Sequence, residues 1–194
     1  MEQIEEIVQN LGLDKQLKLE DIPDLDLYMD QVIQLFEKTY RQSKRDEDEK
    51  ILTKTMINNY AKGKLLPPIK NKKYSKNHLI LMNFVYELKG ALSLTDIKMT
   101  LSVWNQQIGN ESLQLEESFQ AYLTVQEKNL DGFFSEINKK EKEVGEVFEQ
   151  VDTLNAEQLK QSMLILSCIH MSNLYRRTAE KLIDQLAQTS DKEV

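Results

Sequence analysis

Apolar residues return every three or four positions from Leu25 onward, at Tyr28/Met29, Val32, Leu35/Phe36 and Tyr40, and predict an amphipathic helix. Pro23 fits just before or within its first turn, where Asp24 and Asp26 suit the positive end of the helix dipole. The stretch RQSKRDEDEK (41–50) has almost no apolar residue and reads as a solvated helix end and loop. Thr53 then suits the N-cap of a short helix ending near 62–63. Its Met56, Ile57 and Tyr60 share one face, leaving Thr55, Asn58 and Lys62 opposite, with Lys54 and Asn59 at the edges.

Residues 65–74 are too few and too interrupted by Pro67 and Pro68 for a helix, and predict a small hairpin or extended wing. Ser75 can cap a helix from 76 to about 89 whose nearly continuous apolar residues imply a centrally buried element. His78, in its first turn, reads as a surface or cap residue. Ser93 and Asp96 have capping-box spacing ahead of a further helix through Ile97, Leu101 and Trp104.

Beyond this point Phe119, Leu123, Gln126, Leu130, Phe133, Ile137, Lys140, Val144, Val147 and Val151 alternate at four and three residues, the pattern of a coiled-coil or bundle seam. Gly132 and Gly145 weaken it as one rod, so a break near 131–132 is expected. A last helix opens at Asn155 and Gln158 and runs to about 186, its apolar centre 163–171 expected to be buried against the preceding helix or a second subunit. Cys168 and His170 in that centre are two residues apart and face different sides, which reads as core packing rather than a metal site.

Composition agrees with a mainly α protein: 40% hydrophobic and 29% charged residues, with six glycines and three prolines among 194 residues. No apolar run is long enough for a membrane span, the N-terminus lacks the regions of a signal peptide, and a single cysteine excludes an internal disulfide framework. A cytoplasmic protein is expected. The net charge of −7 argues against nucleic acid until its distribution is seen. Residues 50–89 hold nine lysines against one acid, Glu87, whereas 1–49 hold six basic against fourteen acidic residues and 91–194 ten against seventeen. A positive module sits between two acidic ones.

The ordered set TKTMINNYAKGKLLPP (53–68) and YSKNHLILMNFVYELKGALSLTDIKMTL (74–101) resembles the DNA-binding domain of MerR-type transcription regulators. There a short helix leads through an aromatic-bearing turn into a GLLPP-like wing, a YS cap starts a helix, and an SL-x-x-I helix follows. The chain resembles more closely an uncharacterised bacterial family, a domain of unknown function, in which LTKTMINNY, LLPP and KKYSK-x-HL recur. The resemblance covers about 22–104 and implies a winged helix-turn-helix, with 53–62 as recognition helix and 66–74 as wing. The MerR pattern usually has an arginine where Asn58 stands and an acid where Ala61 stands, and the cysteine-rich loops of its metal sensors are absent here.

The expected architecture is therefore an acidic N-terminal extension (1–21), a MerR-like winged helix-turn-helix (22–104) and a helical dimerisation or effector region (111–189). Candidate DNA contacts are Lys54, Thr55, Asn58, Asn59, Tyr60, Lys62, Lys64, Lys70, Asn71, Lys72, Lys73 and Tyr74. Lysine suits phosphate as a point charge, and no arginine occurs between Arg45 and Arg176 to read guanine with two bonds. Asn58 and Asn59 suit adenine and Thr55 the thymine methyl, so an A·T-leaning site is expected. Tyr60 belongs to the apolar face and favours packing. No nucleophile elbow, phosphate loop or metal-hydrolase helix occurs, and no catalytic residue, metal or cofactor is expected. The expected function is a dimeric regulator on double-stranded DNA, with the C-terminal helices as the place for an effector. The alternative is a protein-interaction module whose basic patch docks an acidic partner.

Overall fold

Residues 78–85 are eight in a row, all buried, and eight residues carry a helix through about two full turns. Such a helix has no solvent face and has to be enclosed on every side. The computed structural model describes residues 4–110, 112–148 and 155–190 and supplies that enclosure. In chain order the elements are α1 (Ile4–Asn10), β1 (Leu27–Tyr28), α2 (Met29–Tyr40), α3 (Lys54–Lys62), β2 (Lys73–Tyr74), α4 (Lys76–Leu88), α5 (Leu94–Asn110), α6 (Ser112–Phe148) and α7 (Ala156–Ser190). The protein is mainly helical, and β1 and β2 form one short antiparallel ladder.

The enclosed helix is α4. Phe84 is its aromatic hub, with ring centroids 4.5 Å from Trp104 of α5 and 4.9 and 5.6 Å from Tyr122 and Phe119 of α6. Edge-on geometry to both α6 rings adds a directional preference to the burial itself. On another side the buried Tyr40 of α2 donates its hydroxyl hydrogen to Oδ1 of the buried Asn83 and accepts the Leu17 N–H at 3.3 Å. Lys89, just past the end of α4, donates to the Ile51 carbonyl at 2.9 Å and lies 4.5 Å over the Tyr86 ring. That contact pins the loop between α2 and α3, whose Ile51 and Leu52 are buried.

The core draws on residues either side of 22–104. Leu17 is fully buried within it, and Leu115, Phe119 and Leu123 of α6 belong to the same cluster. The acidic segment before residue 22 thus lies against the molecule. Its chain reversal is made by Gly12, buried at φ +61, where an added Cβ would sit 2.8 Å from Gln42 Cβ. Only glycine fits there without displacing the backbone.

Two expectations need correction. The periodicity from Leu25 does not open a helix there: residues 27–28 are drawn into the ladder with 73–74, so α2 begins at Met29 and Asp30 is the acid in its first turn. The pairing partner lies more than forty residues away, beyond any local pattern. Likewise α6 passes unbroken through Gly132 and Gly145, neither of which meets a neighbour that a Cβ would touch. A glycine costs such a helix about 1 kcal/mol, which packing along so long an element outweighs. The seam drifts as a 3.6-residue helix must against a 3.5-residue repeat: Phe119, Leu123 and Ile137 are buried while Val147 is exposed, and Val151 lies outside the described residues.

The Tyr40 hydroxyl serves two buried partners at once. Replacing it by phenylalanine strands the Leu17 N–H and Asn83 Oδ1, and unmet buried polar groups cost about 1–3 kcal/mol. Tyr40→Phe is expected to lower unfolding free energy by that amount in urea titration, with the denaturant slope unchanged.

Candidate nucleic-acid interface

The basic segment begins on α3. Thr53 Oγ1 accepts the Met56 N–H at 3.1 Å and caps the helix as its sequence predicts. Ile57 and Tyr60 are buried, so Lys54, Thr55, Asn58, Asn59 and Lys62 are all exposed on the outer side. At the C-terminus the Leu65 N–H bonds the Tyr60 carbonyl (3.0 Å) and the Lys64 N–H the Ala61 carbonyl (3.1 Å), the paired bonds of a Schellman ending. The residue in left-handed geometry there is Lys64, at φ +57, rather than the preceding Gly63. Leu65 and Leu66 then plunge into the core, and Asn105 of α5 holds the Leu65 carbonyl at 3.5 Å.

The chain returns as a hairpin. Lys70 and Lys73 form an antiparallel bridge closed by the Lys73 N–H on the Lys70 carbonyl at 2.9 Å. Asn71 and Lys72 between them have φ +53 and +58. Two successive positive φ values make a type I′ turn, for which Asn-Gly is the favoured pair; here lysine stands in the glycine place. Each non-glycine residue held left-handed costs on the order of 1 kcal/mol. The positive-φ non-glycine residues in the described structure are Lys64, Asn71 and Lys72, all within the basic segment.

β1 brings hairpin and helix to one edge. Tyr28 pairs in register with Lys73, whose ammonium lies 5.1 Å over the Tyr28 ring. Two residues on, Asp30 holds Lys54 at 2.8 Å, at the start of α3. Both members of that ion pair are more than half exposed, 63% and 69%, so it contributes about 0–1 kcal/mol and can be exchanged for another anion. Lys62, Lys64, Lys70 and Lys72 are exposed and make no ion pair with another described residue. The edge is not purely positive, because Asp24, Asp26 and Asp30 are exposed beside it.

Not every lysine counted in the segment stands on this edge. Lys76 reaches Asp24 at 3.1 Å and Glu116 at 3.4 Å, tying the start of α4 to α6, and Lys89 is the loop anchor already described. Tyr60 and Tyr74 are 5% and 3% exposed, so their side chains serve the core and drop out of the contact set. Burial raises the pKa of both phenols. Sequence reasoning missed Tyr28, Asp30 and Asn105 as the groups that position the edge, and no local signal marks them.

His78 was expected at the surface or in a cap, and only the second holds: it is 6% exposed. Its Nδ1 accepts the Ser75 N–H at 3.1 Å and lies 2.7 Å from the Ser75 hydroxyl, while Nε2 donates to the Pro67 carbonyl at 3.3 Å. One neutral tautomer satisfies both ends, so the ring joins the helix cap to the segment leaving α3. Burial lowers its pKa, against smaller opposing effects of the Pro67 carbonyl and Asp26. Cys168 and His170, expected in the core, are instead both exposed on α7. No group of three or more metal-ligating side chains occurs among the described residues.

Two outcomes follow. Lys72→Gly creates the Asn-Gly turn and is expected to raise stability by about 1 kcal/mol in urea titration. For His78, the folded state binds its proton less readily than the unfolded chain, so its contribution is complete above the ordinary value of 6.5 and is lost as pH falls through the lowered folded value. Between about pH 7 and pH 5 the wild type should therefore lose more stability than His78→Gln, whose amide oxygen can still accept the Ser75 N–H without titrating.

Neither a search of curated proteins nor one of solved structures finds a counterpart. A family model described as a domain of unknown function (DUF1836) matches residues 17–125, which begins at the buried Leu17 and ends just past Leu123, the last α6 residue of the main core cluster. The chain belongs to the DUF1836 family.

Proposed function

We propose that this protein is a DNA-binding regulator whose α3 acts as recognition helix and whose 66–74 hairpin acts as wing, in the manner of a MerR-like winged helix-turn-helix. The observation that carries the reading is the placement of lysine at two left-handed positions, 64 and 72, where glycine or asparagine is the easier residue. Positive charge is kept there against backbone preference, and backbone strain of this kind gathers at functional sites. With Lys62 and Lys70 these residues make four cations free of ion pairs among the described residues, set on either side of the buried Leu65 and Leu66.

Lysines in this arrangement grip phosphates and set register, while exposed Asn58, Asn59 and Thr55 on α3 meet base edges with an A·T preference. The exchangeable Asp30 to Lys54 pair releases a further cation on binding. No described helix is long and apolar enough to cross a membrane. A cleft of about 250 Å³ between α1, α6 and α7, lined by Ile4, Ile7, Val144 and Leu164 among others, is where an effector at the C-terminal helices would fit.

A second reading, docking of an acidic protein on the same edge, draws on Asp24, Asp26 and Asp30. Carboxylates beside the lysines repel the continuous charge of a duplex more than a discrete protein surface. Anisotropy titrations of labelled duplexes at several salt concentrations separate the two. Each phosphate contact contributes a slope of about −0.9 in log K against log salt. Wild type should show a slope of roughly −4 or steeper, and alanine at Lys62, Lys64, Lys70 and Lys72 should flatten it. A slope near zero, or one indifferent to the four substitutions, contradicts the DNA reading.

A further inference from the structure

We infer that the N-terminal half of α7 is the contact face of a homodimer, in which a second copy of this chain covers the stripe formed by Leu159, Met163, Leu166 and Ile169. The inference rests on α7 alone and holds whether or not the lysine edge binds nucleic acid. Residues 161–175, QSMLILSCIHMSNLY, are fifteen in a row without Asp, Glu, Lys or Arg, the longest such run in a chain that is 29% charged. The uncharged run 77–86 lies in the enclosed α4, where residues 78–85 are buried. The run in α7 is not: Leu159, Met163, Ile165, Leu166 and Ile169 are 43, 42, 57, 60 and 58% exposed.

At 100° per residue these five side chains fall within one arc of about 160°, on the side of α7 turned from the half-buried Lys160, Leu164, Ser167 and Met171. Five large apolar groups about half exposed amount to roughly 500 Å², near the upper limit of what monomeric proteins leave open. With the exposed Ser162, His170 and Asn173 on the same turns, the face approaches the ~800 Å² that each partner contributes to a stable interface.

The occupant follows from charge. Two copies, each with net charge −7, repel one another over most of their surfaces. This face carries no charge to repel a copy and none to select an oppositely charged partner. It is also self-complementary when two α7 helices cross antiparallel with the twofold axis at Leu166. Met163 of one copy then meets Ile169 of the other, Ser162 meets His170, and Leu159 meets Asn173, giving an apolar centre and a polar rim. A parallel crossing would instead set Arg177 on Arg177.

Sedimentation equilibrium on the full chain reads the mass directly. Wild type is expected at twice 22.7 kDa, and Leu166→Glu with Ile169→Glu at the single-chain mass with unchanged helix content, since both side chains are exposed. Leu182→Glu, on the opposite side of α7, should leave the mass doubled. A wild type that stays at 22.7 kDa throughout the accessible concentration range overturns the inference and leaves the face to a different protein. A double variant that stays dimeric also overturns it, because the copies then meet elsewhere. Should the double variant lose helicity, a nitroxide on the single cysteine, Cys168, decides the matter in the wild type. A short inter-label distance supports α7 against α7, and absence of dipolar coupling refutes it.

Discussion

Enclosure of α4 is the constraint from which the rest of the architecture follows. A helix buried around its full circumference needs a partner on every side, and this short chain recruits them from both ends of its sequence. α5 and α6 close on Phe84, α2 closes on Asn83 through Tyr40, and Leu17 completes that bond from before the first core helix. With every inner surface taken, the segment joining α3 to α4 has nowhere to go but outward. Its buried side chains are Leu65, Leu66 and Tyr74, and bonds from Asn105 and His78 hold the Leu65 and Pro67 carbonyls. Lys62 and Lys64 precede the first of these buried residues, and Lys70, Lys72 and Lys73 lie between Leu66 and Tyr74.

Charge and backbone strain are coupled along that segment. Left-handed lysines at 64 and 72 work against local preference, yet both side chains stand exposed, one at a helix ending and one in a turn. Substitutions that relax the backbone there remove the cation at the same stroke. Stability and anion affinity should then move in opposite directions, as expected when strain is retained for function. The neighbouring pair of Asp30 and Lys54 adds a reserve rather than a clamp, since both members are well solvated.

Much of this was legible where the signal is local. The Thr53 cap, the polar outer face of α3, the hairpin after Pro68, the Ser75 cap and the buried α4 all follow from spacing within a few residues. What escaped was set by partners distant in sequence. Residues 27–28 become strand because 73–74 lie alongside, and Lys76 and Lys89 leave the cationic edge because Asp24, Glu116 and the Ile51 carbonyl claim them. His78 could be read as a cap, but its bond to Pro67 could not. The exposed apolar run of α7 was legible as apolar and not as exposed, since periodicity reports a face and never what covers it.

The molecule thus presents two outward surfaces of different character, a lysine-rich edge at α3 and the following hairpin, and an uncharged helix face on α7. Where a duplex touches the chain is the most direct test of the DNA reading of the lysine edge. Backbone amide shifts recorded by nuclear magnetic resonance during titration with an A·T-rich duplex at low salt should move through residues 54–73 and leave α4 and the outer face of α7 in place. Shifts confined to other elements, or none at all at saturating duplex, would contradict it.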